Sequence, residues 1–275
     1  MKKTKMQGQS AAETQSTAKI HPMLIGERQQ HILSLLQQNG RVLVSELSES
    51  LDISPITIRK DLDRLEAQGL VQRTHGGALT PQGSTMTDPS LHEKAQHQVK
   101  EKQRIARAAA SMVKEGQCVL LDSGTTVLMI ARALREFSNL TIVTNAVNIA
   151  IELSDTNFEI ILVGGTLRKN SFSLVGPLAE DLLQQIRADI MFLGVDGFDT
   201  KVGITTPNVL ESRVNRAMVR ASRKVVAVCD STKFSRSSMA VIMPTSGVQT
   251  VITDDQIGMA DYEALRSAGI EVIKV

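Results

Sequence analysis

The chain has little cysteine, no long apolar run and almost no net charge. Cys118 and Cys229 are the only two cysteines in 275 residues, and they sit far apart in apolar stretches without metal or redox spacing. A disulfide framework and a cysteine metal site are excluded, and buried structural thiols are expected. No stretch approaches the ~18 consecutive apolar residues of a membrane helix. The start, Met1-Lys-Lys-Thr-Lys-Met-Gln-Gly, lacks the apolar segment of a signal peptide. The expectation is a cytoplasmic protein with no membrane partner, no metal and no cofactor. Lys and Arg number 31 against 29 Asp and Glu, a net charge of +2. Split at residue 80, the balance is ten against eight, then twenty-one against twenty-one. Bulk charge therefore does not argue for nucleic acid, and only the placement of cations can.

That placement is informative between Ser54 and Leu65. Ser54 is suited to accept a hydrogen bond from an orphaned N–H of a first helical turn, and Pro55 fits the first helical position. Ile58, Leu62 and Leu65 then recur at the i, i+4, i+7 spacing of one buried stripe, which turns Thr57, Arg59, Lys60 and Arg64 outward. Ile56 also points away from the stripe, where a thymine methyl in a major groove would meet it. Gly69 supplies a C-terminal stop. Upstream, residues 27–38 carry Ile32, Leu35 and Leu36 at helical spacing. Gly40 breaks that pattern, and Ser45 is placed to cap a short helix holding Leu47 and Leu51. Downstream, residues 70–79 read as two short strands around His75-Gly76-Gly77, with Arg73 and His75 set to touch phosphate. Together these elements predict a winged helix-turn-helix whose second helix enters the major groove.

Arg28, Ile32, Leu36, Ser54, Thr57 to Leu62 and Leu65 resemble, in type and spacing, the helix-turn-helix signature of the DeoR family of bacterial sugar-metabolism repressors. The resemblance adds Arg28 to a DNA-facing set of Ser54, Ile56, Thr57, Arg59, Lys60, Arg64, Arg73 and His75, with double-stranded operator DNA as the partner.

Four segments are expected. Residues 1–25 form a polar, disordered tail, and 26–80 the DNA-binding domain. Residues 81–92, with two prolines among small polar residues, form a linker, and 93–275 a second domain. The second domain opens with a polar helix carrying Val99, Ile105, Ala106, Ala109 and Val113 and ending near Gly116. Strand-like runs follow at 118–121, 140–143, 159–163, 190–193, 225–229, 250–252 and 271–275, mostly separated by helical stretches. This alternation predicts an α/β domain with a largely parallel sheet, in which ligands bind beyond the strands' carboxyl ends.

The residues after those strands are polar or glycine. Asp122-Ser123-Gly124-Thr125-Thr126 leads straight into a helix and suits a phosphate through backbone N–H groups, hydroxyls and the helix N-terminus. Thr144-Asn145, Gly164-Gly165, Gly194 to Asp199 and Asp230 to Lys233 follow the next strands. The carboxylates Asp196, Asp199 and Glu211, with Lys233, would bond sugar hydroxyls and pair with an anionic substituent, so a phosphorylated sugar fits the inventory.

This half also resembles the DeoR family, which implies an effector domain like ribose-5-phosphate isomerase that answers to sugar phosphates. Its site would comprise Asp122, Ser123, Gly124, Thr125, Thr126, Thr144, Asn145, Gly164, Gly165, Asp196, Gly197, Glu211 and Lys233. Residues 122–126, 192–196 and 233–238 are most similar to the subgroup of N-acetylgalactosamine and galactosamine (aga) operon repressors, which favours an amino-sugar phosphate. The resemblance implies a repressor, not an enzyme, and paired DNA-binding heads imply a homo-oligomer. The competing reading is an isomerase-like enzyme using those carboxylates for proton transfer. The glycine-rich segment and lysine that such isomerases place before the glutamate survive only in part, as Lys201-Val-Gly203. A DNA-binding architectural protein, the third reading, leaves the strand-end polar residues without a purpose.

Overall fold

In the computed structural model, residues 25–39, 41–67, 70–74, 76–79 and 88–275 are described. Residues 1–24, Gly40, Gln68, Gly69 and His75 lie outside them, as do 80–87, and with them most of the expected tail and linker.

Apolar spacing builds the N-terminal unit. Helices α1 (Ile25–Asn39), α2 (Val44–Leu51) and α3 (Pro55–Ala67) bury Ile32, Leu36, Leu47, Ile58, Leu62 and Leu65 in one core. Strands β2 (Gln72–Thr74) and β3 (Gly77–Leu79) form the wing. An additional strand, β1 (Arg41–Leu43), pairs with β3 and completes a three-stranded sheet. Gly77 is needed there because a Cβ would collide with the Val42 carbonyl. The expectation that Ser45 caps α2 is corrected. The cap position is Leu43, without a side-chain bond, and Ser45 lies exposed in the first turn. Because β1 runs straight into the helix, the entry is tied instead by the Val44 N–H donating to the Gly76 carbonyl at 2.9 Å.

Past the linker come α4 (Leu91–Ala95), started by a capping box of Ser90 and Glu93, and α5 (Val99–Ala110). The latter ends at Ala110, short of Gly116, in turns closed by Met112 and Val113. Residues 88–92 are therefore bonded structure and not free linker.

The second domain follows in order as β4 (Cys118–Leu121), α6 (Thr125–Leu134), β5 (Thr141–Thr144), α7 (Val147–Leu153), β6 (Glu159–Leu162), β7 (Thr166–Arg168), β8 (Ser173–Val175) and α8 (Pro177–Gln184). Then come β9 (Ala188–Gly194), β10 (Gly197–Asp199), β11 (Gly203–Thr206), α9 (Val209–Ala221), β12 (Ser222–Val228), β13 (Ala240–Met243), β14 (Thr250–Thr253), α10 (Met259–Ser267) and β15 (Glu271–Lys274).

Seven of these strands form a parallel sheet in the order β15-β14-β12-β9-β4-β5-β6. Alternate residues of β9 enter opposite cores. Met191 and Leu193 pack with Val214, Met218 and Leu265 of α9 and α10, while Ile190 and Phe192 pack with Ile105, Ile130 and Ile149 of α5, α6 and α7. A sheet covered on both faces explains why its strands read as continuous apolar runs. From β4 the chain winds outward to β6, then returns through β9 to β4's other side, so the order reverses between β4 and β9. That reversal opens the crevice in which such sheets bind ligands. The hairpin β7–β8 and a small antiparallel sheet, β10-β11-β13, flank it.

Candidate functional site

Two sets of residues are candidates, one on each unit. On α3, Ser54 Oγ accepts from the Thr57 N–H at 3.3 Å and lies 2.9 Å from Thr57 Oγ1, which fixes the helix start. Arg59, Lys60 and Arg64 are exposed, and none has an ion pair among the described residues. Ile56 is 65% exposed, a costly place for a β-branched apolar residue and one that suits an apolar contact from outside. Two of the expected DNA-facing cations are held within the unit. Arg28 is buried, its Nε 2.5 Å from Asp61 Oδ2, and so joins α1 to α3. Arg73 donates from Nε to Asp63 at 2.9 Å and from a terminal nitrogen to the Gly77 carbonyl at 2.5 Å, binding the wing to α3. Both serve as scaffold because each meets an internal acceptor the sequence did not announce. His75 lies outside the described residues.

On the second unit a pocket sits at the carboxyl ends of β4 and β9, where the strand order reverses. Its lining includes Ser123, Gly124, Thr125 and Thr126 at the start of α6, Asp122, Asp196, Glu211 and Lys233. Gly124, at φ 117, brings backbone to the pocket wall as only glycine does without strain.

The carboxylates are not equivalent. Asp122 Oδ2 accepts from the Gly194 N–H at 3.1 Å and from Asn215 Nδ2 at 3.0 Å, while its Oδ1 is buried without a partner. Burial, reinforced by the charge of Glu211, pushes this carboxyl well above the usual carboxylate range. Asp196 is partly buried, which opposes its charge, yet Lys94 Nζ at 2.6 Å from its Oδ1 outweighs that and holds it below the usual range. Thr206 Oγ1 donates to its other oxygen at 3.1 Å. Lys94 is held above the usual lysine value in turn, against the cost of its burial. Glu211, in the first turn of α9, accepts from Arg168 at 2.7 Å, Ser173 at 3.1 Å and Thr206 at 3.3 Å. Lys102 donates from Nζ to the Lys94 and His97 carbonyls at 2.6 Å each, and burial brings it down to about 8. Lys233 has no ion pair among the described residues.

Five expected effector residues stand elsewhere. Thr144 Oγ1 accepts from the Ala146 N–H and closes its own turn, while Asn145 bonds Leu174 through backbone and side chain and anchors the β7–β8 hairpin. Gly164 lies outside the lining. Gly165, at φ 129, lets the chain pass Val175, whose carbonyl would be 2.5 Å from a Cβ. Gly197 makes room for the Arg236 carbonyl, 2.8 Å from where a Cβ would stand. Sequence reasoning missed Lys94, Lys102, Arg168, Thr206 and Asn215. Of these only Asn215 carried a signal, being a polar residue between the apolar Val214, Ala217 and Met218 of α9.

A model of the DeoR C terminal sensor domain matches residues 97–255, and one of the DeoR-like helix-turn-helix domain matches residues 28–83. The chain belongs to the DeoR family. Its halves are thus a DeoR helix-turn-helix unit and a DeoR sensor domain. A relative from Escherichia coli O157:H7, named as a candidate aga operon transcriptional repressor, is 39% identical over 251 residues, covering 90% of this chain and 93% of the relative. The glycerol-3-phosphate regulon repressor of Escherichia coli K12 is 39% identical over 229 residues, covering 83% and 90%. Among solved structures, ribose 5-phosphate isomerase A from Neisseria gonorrhoeae aligns with 49% of this chain and 53% of its own, at 14% identity and a TM-score of 0.37, too loose a likeness to argue from.

Proposed function

We propose that this DeoR-family chain represses a sugar or amino-sugar catabolic operon and leaves its operator when a phosphorylated sugar fills the pocket between β4 and β9. The observation that carries this reading is the pocket's polarity. The start of α6, with Ser123 to Thr126, stands with Lys102 and Lys233 around one cavity, and Asp196 and Glu211 stand in the same cavity. An anion and a set of hydroxyls are what such a lining accommodates. In this reading the sugar is an amino-sugar phosphate such as galactosamine-6-phosphate, whose ammonium would compete with Lys94 and Arg168 for Asp196 and Glu211. In this reading residues 26–80 bind DNA through Arg59, Lys60, Arg64 and Ile56, residues 81–92 connect, and 93–275 sense the effector. Two or more heads act together in a homo-oligomer. No helix among the described residues is long and apolar enough to cross a membrane, and the place of action would be the cytoplasm.

An isomerase is disfavoured on geometry. Asp196 and Glu211 are each locked onto a cation at 2.6 and 2.7 Å, and Asp122 is held toward its neutral form, so no carboxylate stands free as a base. The relatives are also named as repressors. The test is binding of the full chain to DNA from its own gene neighbourhood at fixed salt, titrated with galactosamine-6-phosphate, N-acetylgalactosamine-6-phosphate and other sugar phosphates, with isomerisation followed in parallel. Release by one of them supports the reading. Turnover without specific DNA binding overturns it.

A further inference from the structure

We propose that the Arg168 guanidinium is the link by which the effector pocket controls the linker to the DNA-binding unit. It holds Asp88, at the linker's C-terminal end, while Glu211 in the pocket is free of ligand. This rests on the functional reading above and adds how the two halves communicate.

One side chain faces both ways. Arg168, at the end of β7, donates to Glu211 Oε2 at 2.7 Å and to Ser171 Oγ at 3.1 Å from one terminal nitrogen, and pairs with Asp88 through the other. Glu211 is 43 residues away in sequence and Asp88 is 80, so the fold alone creates the bridge. The same stretch of chain is zipped onto the hairpin turn. Asn170 Nδ2 donates to Asp88 Oδ2 at 3.3 Å, and the Leu91 N–H donates to the Asn170 carbonyl at 2.7 Å. Residues 88–91 are thus bonded to the β7–β8 turn just ahead of α4, which is itself held to the pocket by Lys94 on Asp196.

Glu211 already accepts from Arg168 and Ser173, and Thr206 Oγ1, whose one proton it shares with Asp196, lies 3.3 Å away. A sugar hydroxyl or ammonium that takes Glu211 must share or displace the guanidinium, and an ammonium would also repel it. Arg168 serves because its two terminal nitrogens reach carboxylates on opposite sides, one toward Glu211 and the other toward Asp88, where a lysine would have a single nitrogen to place between them. Phe172 in the hairpin turn adopts φ 53, left-handed for a bulky residue, with its side chain 47% exposed and its carbonyl accepting from the Val147 N–H at 2.9 Å. Ligand on Glu211 therefore frees Asp88, and the operator-binding arrangement loses its anchor.

The test uses the full chain and the variants Asp88→Asn and Arg168→Lys, with operator affinity, sugar-phosphate affinity by calorimetry and amide exchange of residues 88–95 as readouts. The probe is galactosamine-6-phosphate, or whichever sugar phosphate releases the wild-type chain. Linkage demands opposite signs: Asp88→Asn binds operator about tenfold more weakly without effector and binds the sugar phosphate more tightly. Arg168→Lys follows it in operator affinity. In the wild-type chain the sugar phosphate speeds exchange at 88–95 while protecting 122–127. A merely structural bond would lower both affinities together, and that result, or no change in either, overturns the proposal. If no sugar phosphate releases the wild-type chain, the functional reading falls, and the operator affinity of Asp88→Asn still decides whether this contact governs the DNA-binding unit.

Discussion

Arg28 and Asp61, 33 residues apart, meet inside the N-terminal unit with Nε 2.5 Å from Oδ2 and side-chain exposures of 9% and 1%. The pair joins the first helix to the helix that carries Arg59 and Lys60. A charge on that helix can thus serve the fold or the ligand, and burial separates the two.

The separation is measurable. Removing one partner of a buried pair leaves the other uncompensated and costs about 3–5 kcal/mol, a large share of what a unit of this size can have. Arg28→Ala is expected to melt the N-terminal unit early, read by circular dichroism, and to lose DNA binding as a consequence. Arg59→Ala is expected to leave the melting curve unchanged and to cost about 1–3 kcal/mol of operator affinity if the contact is a bidentate base contact. Equal melting of both variants would show that the exposed face has been misread.

A second expectation concerns Asp122. A carboxyl raised in the folded state keeps its proton at pH values where the unfolded chain has released it. Its stability contribution is therefore full at low pH and falls as pH rises from the ordinary aspartate value through the raised one. Asp122→Asn keeps an acceptor for Gly194 and Asn215 and removes the titration. Urea unfolding should find the variant more stable than the parent at pH 8, with the gap closing toward pH 4. A gap independent of pH would mean that Asp122 is ionised throughout.

Much of this was legible in the sequence, for physical reasons that differ by element. The inner strands of the parallel sheet are buried on both faces, so they stand out as apolar runs at nearly the observed bounds. Ser123 to Thr126, Asp196 and Lys233 were legible because ligand sites follow strand ends in such sheets. The strands β7 and β8 are three residues each, too short for a period to show, and the hairpin they build stayed hidden. With it went Arg168 and Asp88, whose partners lie 43 and 80 residues away. Lys94 and Lys102 fall in a polar stretch where charge reads as solvated surface, until the fold lays it beside the pocket. Thr144 and Asn145 failed in the opposite direction. They stand at the end of a strand, but the Thr144 hydroxyl is used in its own turn and Asn145 is used to hold the hairpin.

Lys102 gives the pocket a pH dependence of its own. Burial holds it at about 8, so it loses its charge as pH passes that value, while a phosphate monoester is already doubly charged. Sugar-phosphate affinity is expected to weaken as pH rises from 7 to 9, and Lys102→Gln to flatten that slope. Chain stability should move the other way and rise with pH above about 8, because the unfolded chain still binds the proton there. An affinity slope that survives the substitution would place the titrating group elsewhere.

The last prediction is for Gly165, which entered as an effector residue and stands instead at the root of the β7–β8 hairpin. Its φ of 129 and the Val175 carbonyl 2.5 Å from a would-be Cβ make alanine strained twice over, at about 1–3 kcal/mol for the backbone alone. The strain would fall on the hairpin that carries Arg168 and Ser173 to Glu211. Gly165→Ala should therefore disturb sugar-phosphate binding without lining the pocket, and amide exchange should quicken at 166–175 before the parallel sheet is affected. Gly116→Ala is the control, since Gly116 also has a positive φ, of 81, but nothing within 4 Å of its Cβ position. It should cost stability and leave sugar-phosphate affinity alone. If both variants weaken that affinity alike, the effect belongs to general destabilisation and not to the hairpin.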